Sequence, residues 1–516
     1  MRARALLLVA LAVALPTAAA RVASSQSEGE VEKPSVVVLI FDEFPTDMLL
    51  GPDGRIDAER FPGFAELAGL STWFPNASTI YDSTFKAVPS ILDARLPKRG
   101  TAPDVRSHHG NVYTLFDRLG YGVVAAESGT AICPQDVCPG APTRRPGVLA
   151  QLAGGGRADR LRAWIESIGK TPEPTLHVHH ALLPHEPWIY LPSGHQSRPK
   201  GKDPIGGINR PIGFHDPVLT RHNEGRLMLQ VGFVDRQIGF LLDHLREKGM
   251  LESSILAVLA DHGYAFEVGV KDRRLVTRSN AAQIAPVPFF FKRPGQTGGE
   301  VDKAFVRNMD LVPTLADLLG VRPGWRYDGV SAFSDETRRR RGLSILTRDF
   351  KETITVGAAR LARERQAQRL RRARIFETGV ESDLLFGSPW AAIYRVGTHP
   401  ELVGRRVADA NVGPPGALRA EVANAGLPQR VRPRAFLLPV RVTGRIEGGP
   451  SRVLRQVAVA VNGTIRATNR TFRLKRKPSE FFSFLVPDEA LRAGRNRIEV
   501  FEVSRGARLT PLYRSP

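Results

Sequence analysis

Cysteine and long apolar runs are both scarce in this sequence. Only two cysteines occur among the 516 residues, and no apolar run reaches the roughly 20 residues that a membrane-spanning helix needs. The hydrophobic share of 42% and the charged share of 24% are close to globular averages. These values argue against wholesale disorder, a collagen-like chain and a multi-span membrane protein. At roughly 100–200 residues per domain, the length predicts two or three globular domains.

The N-terminus and the pair of cysteines both indicate the compartment in which the protein acts. Arg2 and Arg4 precede an apolar run from Ala5 to Leu15, and small residues follow up to Ala20. This pattern predicts a signal peptide over residues 1–20 and an extracytoplasmic, secreted or envelope-associated protein, with an uncleaved N-terminal anchor as the alternative. In an exported chain, Cys133 and Cys138 favour a disulfide over half of a zinc site, because no further cysteines could complete one.

The charge is unevenly distributed along the chain. The formal net charge is +21, yet residues 1–337 hold 37 basic and 37 acidic side chains. Residues 338–374 hold 13 basic against 3 acidic side chains, and residues 391–516 hold 23 against 9. The basic excess therefore predicts an anionic membrane surface or wall polymer as a partner of residues 338–516. For the first of these basic segments, a solvated connector helix is the favoured interpretation and a surface for anionic lipid or polymer is the alternative.

Apolar runs and amphipathic segments alternate over the first two thirds of the chain. Continuous apolar runs, typical of buried parallel strands, occur at Ser35–Phe41, Gly122–Ala126, Leu176–Leu183, Ile255–Ala260 and Val287–Phe291. Helical spacing lies between them, as in Glu224–Lys248. The alternation predicts an α/β domain with a mostly parallel sheet over residues 34–333.

A different pattern follows that domain. Residues 334–390 read as a basic helical connector that contains a helix over Ala358–Ile375, and residues 391–516 as a β-rich, sandwich-like module. Within that module Asn462-Gly463 joins two short strands, which is a strong hairpin signal.

Acidic and imidazole side chains follow several of the predicted strands. Asp42 and Glu43 follow the first apolar run, His185 the third, and Asp261 and His262 the fourth. Ligands of open α/β sheets bind at the carboxyl ends of strands, so these side chains are expected to converge there. Oxygen and nitrogen donors without thiolates suit a divalent ion, Mn, Mg, Ca or Zn.

The order of these motifs resembles the alkaline phosphatase superfamily, and within it the sulfatase-like branch with lipoteichoic acid synthases and phosphoethanolamine transferases. The resemblance covers about Ser35 to Ser331 and rests on four segments in family order. They are the strand ending at Asp42, the helix ending Ile91-Leu92-Asp93-Ala94-Arg95, Asp261-His262-Gly263, and Val287–Lys292 followed by Asp310-Leu311-Val312-Pro313-Thr314-Leu315. It implies an α/β/α sandwich.

The resemblance also implies roles for individual residues. The family spacing places the nucleophile on Thr84, with Ser83 as an alternative, and makes Thr84 a metal ligand beside Asp42, Asp261 and His262. Glu43 is a further ligand or points away. His185 is expected to bind substrate or act as a general acid, or else to be a structural histidine, and Lys86 to bind substrate.

Two departures from the family narrow the expected reaction. Thr84-Phe85-Lys86-Ala87-Val88 lacks the Cys or Ser, the Pro and the Arg of the formylglycine motif, and no Asp-x-x-x-His pair stands where two-zinc relatives have one. The sequence therefore predicts a one-metal hydrolase or transferase of phosphodiester or phospholipid-type substrates through a covalent threonine intermediate. A sulfuric ester hydrolase and a catalytically degenerate envelope-binding protein are the alternatives; no nucleic-acid partner is expected.

Overall fold

A computed structural model describes residues 33–140, 147, 156–197, 216–270, 272–376, 388–423, 425–449, 453–474 and 479–515. The predicted signal peptide, residues 1–20, lies outside the described residues. The strands are β1 (Val36–Asp42), β2 (Thr72–Trp73), β3 (Gly122–Ala126), β4 (Thr175–Pro184), β5 (Ile255–Ala260), β6 (Phe289–Lys292), β7 (Glu300–Val301), β8 (Gly342–Leu346), β9 (Thr353–Gly357), β10 (Arg419–Val422), β11 (Arg441–Glu447), β12 (Gln456–Val461), β13 (Thr464–Arg470), β14 (Glu480–Leu485), β15 (Ile498–Ser504) and β16 (Arg508–Arg514). The α-helices are α1 (Pro62–Leu70), α2 (Thr84–Asp93), α3 (Val112–Arg118), α4 (Arg157–Ser167), α5 (Pro217–Glu247), α6 (Ala281–Ile284), α7 (Leu311–Leu318), α8 (Asp335–Arg339) and α9 (Ala358–Phe376).

A seven-stranded sheet with the order β3-β4-β1-β5-β6-β2-β7 forms the centre of the α/β part. Strands β3, β4, β1 and β5 are parallel to one another, as the continuous apolar runs predict. Alternate side chains of β1 enter two different cores: Val37 and Leu39 pack with residues of α1 and α5, and Val38 packs with residues of α2 and α3. Helices therefore cover both faces of the sheet, and the predicted fold class is confirmed.

Strand β6 differs from the parallel arrangement that its apolar run suggests. It runs antiparallel to β5, with Leu259 opposite Phe289. The intervening chain stays at the carboxyl end of β5, where Gly263 N donates to Ile284 O at 2.9 Å. Because the chain does not cross back over the sheet, β6 enters the sheet at the end where β5 leaves it, and the two strands are antiparallel.

The C-terminal residues form two antiparallel sheets, with strand orders β10-β11-β14 and β13-β12-β15-β16. The predicted hairpin at Asn462-Gly463 joins β12 and β13. These sheets share apolar contacts with α5, where Leu219 packs in one buried cluster with Phe481 of β14. The described residues from 34 to 515 pack as one compact unit. The predicted domain boundaries at residues 333 and 390 stay a prediction.

Helix α9 is not solvated on all sides, as the interpretation of residues 338–374 as a solvated connector helix had implied. One face of the helix packs against the α/β part. Arg365 is 5% exposed and its Nη2 lies 2.7 Å from Asp47 Oδ1, while Arg371 Nη2 lies 2.6 Å from Glu224 Oε1. Both carboxylates belong to the α/β part and are buried, so each needs a nearby cation. Part of the basic excess after residue 337 therefore balances acids in the electrically neutral first 337 residues.

Two further expectations concern the export of the chain. Cys133 and Cys138 form a disulfide, as predicted. Among the described helices, none combines the length and the apolar character needed to cross a membrane.

Candidate metal and nucleophile site

Three predicted ligands meet where two neighbouring parallel strands end. Asp42 is the last residue of β1, and Asp261 and His262 follow β5 directly. The backbone N–H of Asp261 donates to Phe41 O at 2.9 Å, which aligns the two strand ends. Ligand atoms of Asp42, Asp261 and His262 all lie within 4.8 Å of one another, and all three side chains are buried.

Thr84 lies beside these three residues at the start of α2. Its Oγ1 is 3.4 Å from Asp42 Oδ1 and 3.4 Å from His262 Nε2. The position at the first helical residue also places the hydroxyl at the positive end of the helix dipole. Ser83, the alternative nucleophile, precedes the helix in an extended conformation and its side chain caps no helix N–H.

The donor set fits a divalent cation. Asp261 Oδ1 accepts hydrogen bonds from the backbone N–H groups of Glu43 and His262, whereas Oδ2 is buried without a hydrogen-bond partner. Burial raises the pKa of Asp42 well above its ordinary value, and the nearby carboxylates of Asp261 and Glu43 raise it further. A cation bound there would satisfy Asp261 Oδ2 and offset the repulsion among the carboxylates.

Glu43 lies next to Asp42 but already has a cationic partner. Arg273, which is 5% exposed, donates from Nη2 to both Glu43 carboxylate oxygens at 2.9 and 3.0 Å. Burial opposes ionisation of Glu43, but Arg273, His185 and Arg274 outweigh it and lower its pKa to about 2. Asp42, Glu43 and His185 form a second group with ligand spacing. The charge of Arg273 makes that group a poorer cation site than the first.

His185 extends from the end of β4 toward the same cluster. Its Nε2 lies 3.3 Å from Glu43 Oε1, and its Nδ1 donates to Glu186 O at 2.6 Å. Burial lowers the pKa of His185 to about 3, although Glu43 acts in the opposite direction. The imidazole is therefore neutral near pH 7, with its remaining proton directed at the Glu186 carbonyl.

The structure does not bring Lys86 to this cluster. Lys86 Nζ donates to Lys98 O and Thr101 O, both at 2.6 Å, and to Thr101 Oγ1 at 2.7 Å. Residues two apart on a helix do not share a face, so Lys86 points away from the side on which Thr84 lies. Its ammonium group holds the loop after α2 in place.

Sequence reasoning missed three polar side chains near the predicted ligands. Arg273 comes from the loop after Asp261-His262, and its role depends on how that loop folds back over Glu43. Asn308 Nδ2 donates to Asp261 O at 2.8 Å. His180, on β4, places Nε2 4.0 Å from Asp261 Oδ2, and its Nδ1 donates to Ser128 O at 2.6 Å. The period-2 alternation of the strand could have singled out His180, because it places it on the opposite face from His177 and His179.

Comparison with known proteins gives one family match over most of the α/β part. A family model described as Sulfatase matches residues 34–321, more than half of the chain. An ulvan-active sulfatase of Formosa agariphila is 26% identical over 117 residues, which are 22% of this chain and 18% of that protein. The extracellular sulfatase SULF-1 homolog of Drosophila melanogaster is 27% identical over 161 residues, which are 29% of this chain and 14% of that protein. The chain thus spans less than a fifth of the length of these curated relatives.

Solved structures with a similar fold include sulfatases and phosphonate hydrolases. A 2-O GAG sulfatase aligns with a TM-score of 0.45 at 16% identity, covering 61% of this chain and 77% of that chain. The phosphonate monoester hydrolase of Silicibacter pomeroyi aligns with a TM-score of 0.41 at 17% identity, covering 61% and 79%.

Proposed function

The chain belongs to the sulfatase family, and we propose that it cleaves or transfers phosphoester groups through a covalent intermediate on Thr84. The observation that carries this proposal is the position of the Thr84 hydroxyl. Its Oγ1 lies 3.4 Å from two of the three clustered ligands, Asp42 and His262. A hydroxyl of ordinary pKa is a weak nucleophile, and this environment is suited to activating it.

Asp42, Asp261, His262 and Thr84 would hold one divalent cation. Such an ion supplies positive charge that lowers the pKa of a bound hydroxyl and offsets charge on the reacting ester. Asp261 is fixed for this role by backbone N–H groups on Oδ1 and by Asn308 on its carbonyl. Arg273 keeps Glu43 ionised and oriented beside the ligands.

The proposed reaction has two in-line steps. In the first, Thr84 loses its proton to solvent, Oγ1 bonds to phosphorus, and the bond to the leaving oxygen breaks. The leaving oxygen takes a proton from solvent and departs as an alcohol. In the second, water or an acceptor alcohol loses a proton and bonds to phosphorus, the Thr84 Oγ1–P bond breaks, and Oγ1 takes a proton from solvent to regenerate the hydroxyl. Neutral His185 contributes Nε2 as a hydrogen-bond acceptor for a hydroxyl of the substrate or acceptor.

The choice of phosphate over sulfate rests on the nucleophile. The segment Thr84–Val88 lacks the residues from which family sulfatases make formylglycine, so Thr84 would act as an unmodified hydroxyl. The second candidate is sulfate ester cleavage by the same residues, and it is favoured by the sulfatases among the relatives.

The test is intact-mass analysis after a short incubation with Mn²⁺ and an aryl phosphomonoester, an aryl phosphodiester or an aryl sulfate. We expect a phosphate-containing adduct that peptide mapping assigns to Thr84, that persists in Ser83→Ala and that disappears in Thr84→Ala. A sulfate adduct would transfer the proposal to the second candidate. Metal binding without turnover of any ester would favour a catalytically degenerate binding protein and overturn the proposal.

We also propose that the protein acts outside the cytoplasm. The apolar N-terminal run and the Cys133–Cys138 disulfide support this location, and one curated relative is named as extracellular. Mass determination of the mature N-terminus is the test: cleavage near residue 20 supports a signal peptide, and an intact N-terminus in the membrane fraction supports an anchor.

A further inference from the structure

A groove of about 860 Å³ lies in the C-terminal β sheets, and none of its lining residues belongs to the candidate metal site. It runs along β10 and β16, the edge strands of the two sheets, and residues 406–415 form one of its walls. Its volume is within the range of roughly 300–1,000 Å³ that is typical of ligand sites. The family match ends at residue 321, so the groove is a feature outside the matched region.

Positive charge dominates the wall of this groove. Its described lining contains four arginines and one carboxylate, namely Arg406, Arg419, Arg497, Arg514 and Glu499. Arg497 and Arg514 share Glu499, at 3.1 and 3.5 Å, and Arg406 pairs with Asp409 at 2.8 Å. Arg419 donates instead to the carbonyl oxygens of Gly416 and Leu418. Four guanidinium groups thus face two carboxylates, which leaves an excess of positive charge on the groove wall.

The floor of the groove is apolar. Phe501 and Leu512 are buried beneath it, and Tyr513 is half-buried at its side. A sugar ring has apolar C–H faces and polar edges, which matches an aromatic ring beside an apolar floor. Guanidinium groups around that floor match ester anions, because they can donate two parallel hydrogen bonds to one anion. A concave site of this kind accommodates a chain segment better than it does the flat surface of a bilayer.

We propose that this groove binds a segment of a polysaccharide that carries anionic ester groups, sulfate or phosphate. This proposal assigns the basic excess of residues 391–516 to one binding site, the groove. The four groove arginines bind the polymer, and the other exposed arginines of this region do not.

The experiment measures binding by the full-length Thr84→Ala protein, which retains the groove together with Asp42, Asp261 and His262 but cannot form the adduct. Isothermal titration uses dextran sulfate, phosphorylated dextran and neutral dextran of matched length. We expect the groove variant Arg419→Gln/Arg514→Gln to bind the anionic polymers at least about tenfold more weakly. The matched control Arg432→Gln/Arg434→Gln removes the same charge from exposed positions outside the groove and should change the dissociation constant less than threefold. The two anionic polymers distinguish sulfate from phosphate recognition.

Several results would overturn the proposal. These are equal losses in the two double variants, equally tight binding of neutral dextran, or tighter binding of anionic liposomes or single-stranded DNA than of either anionic dextran. If both double variants unfold at the same temperature as the Thr84→Ala protein, misfolding is excluded as the cause of any loss of binding. Failure of the proposed function is seen separately, as absence of the Thr84 adduct in the wild-type protein.

Discussion

Arg273 and Glu43 form a bidentate ion pair in which both side chains are at most 5% exposed. Glu43 adopts a positive φ of 59°, a backbone conformation that non-glycine residues rarely adopt. The pair therefore holds a strained residue immediately after the metal ligand Asp42 proposed above. Arg273 also reaches Glu186 at 3.1 Å, so one guanidinium joins the ends of β1 and β4.

The first prediction concerns removal of this arginine. Arg273→Met leaves the Glu43 carboxylate buried without its main counter-ion, and the free energy of unfolding should fall by about 3–5 kcal/mol in chelator-treated protein. The matched control is Arg274→Met, because Arg274 is 32% exposed and 3.5 Å from Glu43; it should lose less than about 1 kcal/mol. Urea unfolding measures both values. The double variant Arg273→Met/Glu43→Gln should recover stability, and a double variant as unstable as Arg273→Met alone would contradict this account.

The second prediction links cation binding to a proton on Asp42. Burial and two neighbouring carboxylates raise the pKa of Asp42, so a cation must displace a proton when the pH is below that pKa. Mn²⁺ affinity should fall as the pH falls, with up to about one proton released per ion. Isothermal titration in buffers of different ionisation enthalpy measures the release.

Glu43→Gln serves as the control for proton release. The pKa of Glu43 is about 2, so its carboxyl carries no proton to release above pH 5. The variant should therefore still release a proton on binding Mn²⁺, but over a lower pH range than the wild type, because the Glu43 charge also raises the pKa of Asp42. An affinity that does not fall as the pH is lowered would count against Asp42 as a protonated ligand.

The third prediction concerns the contact of α5 with Trp390, which precedes the C-terminal sheets in the chain. A Cβ on Gly232 would lie 2.5 Å from Trp390 Cζ2 and 2.8 Å from Pro192 Cγ, whereas a Cβ on Gly239 of the same helix meets nothing within 4 Å. Gly232→Ala should therefore destabilise the protein by about 1–3 kcal/mol through overpacking. Gly239→Ala should stabilise it by about 0.5–1 kcal/mol. Thermal unfolding compares them, and similar shifts of the same sign would refute this packing.

The fourth prediction is a loss of stability in acid. Burial lowers the pKa of His177 to about 4 and of His179 to about 3, against an ordinary value of 6.5. Their contribution to stability is present above pH 6.5 and is lost as the pH falls toward 3, because the unfolded chain binds protons first. Near pH 5, these two groups should reduce the free energy of unfolding by roughly 2.5 kcal/mol per pH unit.

A variant separates this effect from other acid-sensitive groups. His179 stacks on Trp164 with ring centroids 5.2 Å apart, so His179→Phe keeps the contact and removes the titration. Its stability should depend on pH less steeply by about 1.4 kcal/mol per unit near pH 5. The exposed His109→Gln variant should keep the wild-type slope. Equal slopes in wild type and His179→Phe would show that His179 is not buried in neutral form.

The sequence was most informative where a residue's role depends on its near neighbours. The run Val36–Asp42 predicts a strand buried on both faces because every side chain but the last is apolar, whichever way it points. Asp42, Asp261 and His262 follow such runs directly, so their convergence follows from the geometry of parallel strands. Lys86 was expected to bind substrate beside Thr84, and the structure directs it away from that cluster. Helical geometry alone indicates this, because α2 begins at Thr84 and a residue two positions later lies on a different face of the helix.

The tertiary structure decided what depends on contacts between distant segments. Arg273 becomes the counter-ion of Glu43 only because the loop after β5 folds back over the end of β1, 230 residues away in sequence. Arg365 and Arg371 read as solvated charges on a basic helix, yet they pair with buried carboxylates of the α/β part. The sequence by itself determined the strands, the ligand types and the net charge, since these are local or additive. Which charges are neutralised and which line the groove depends on long-range packing, and no local pattern encodes it.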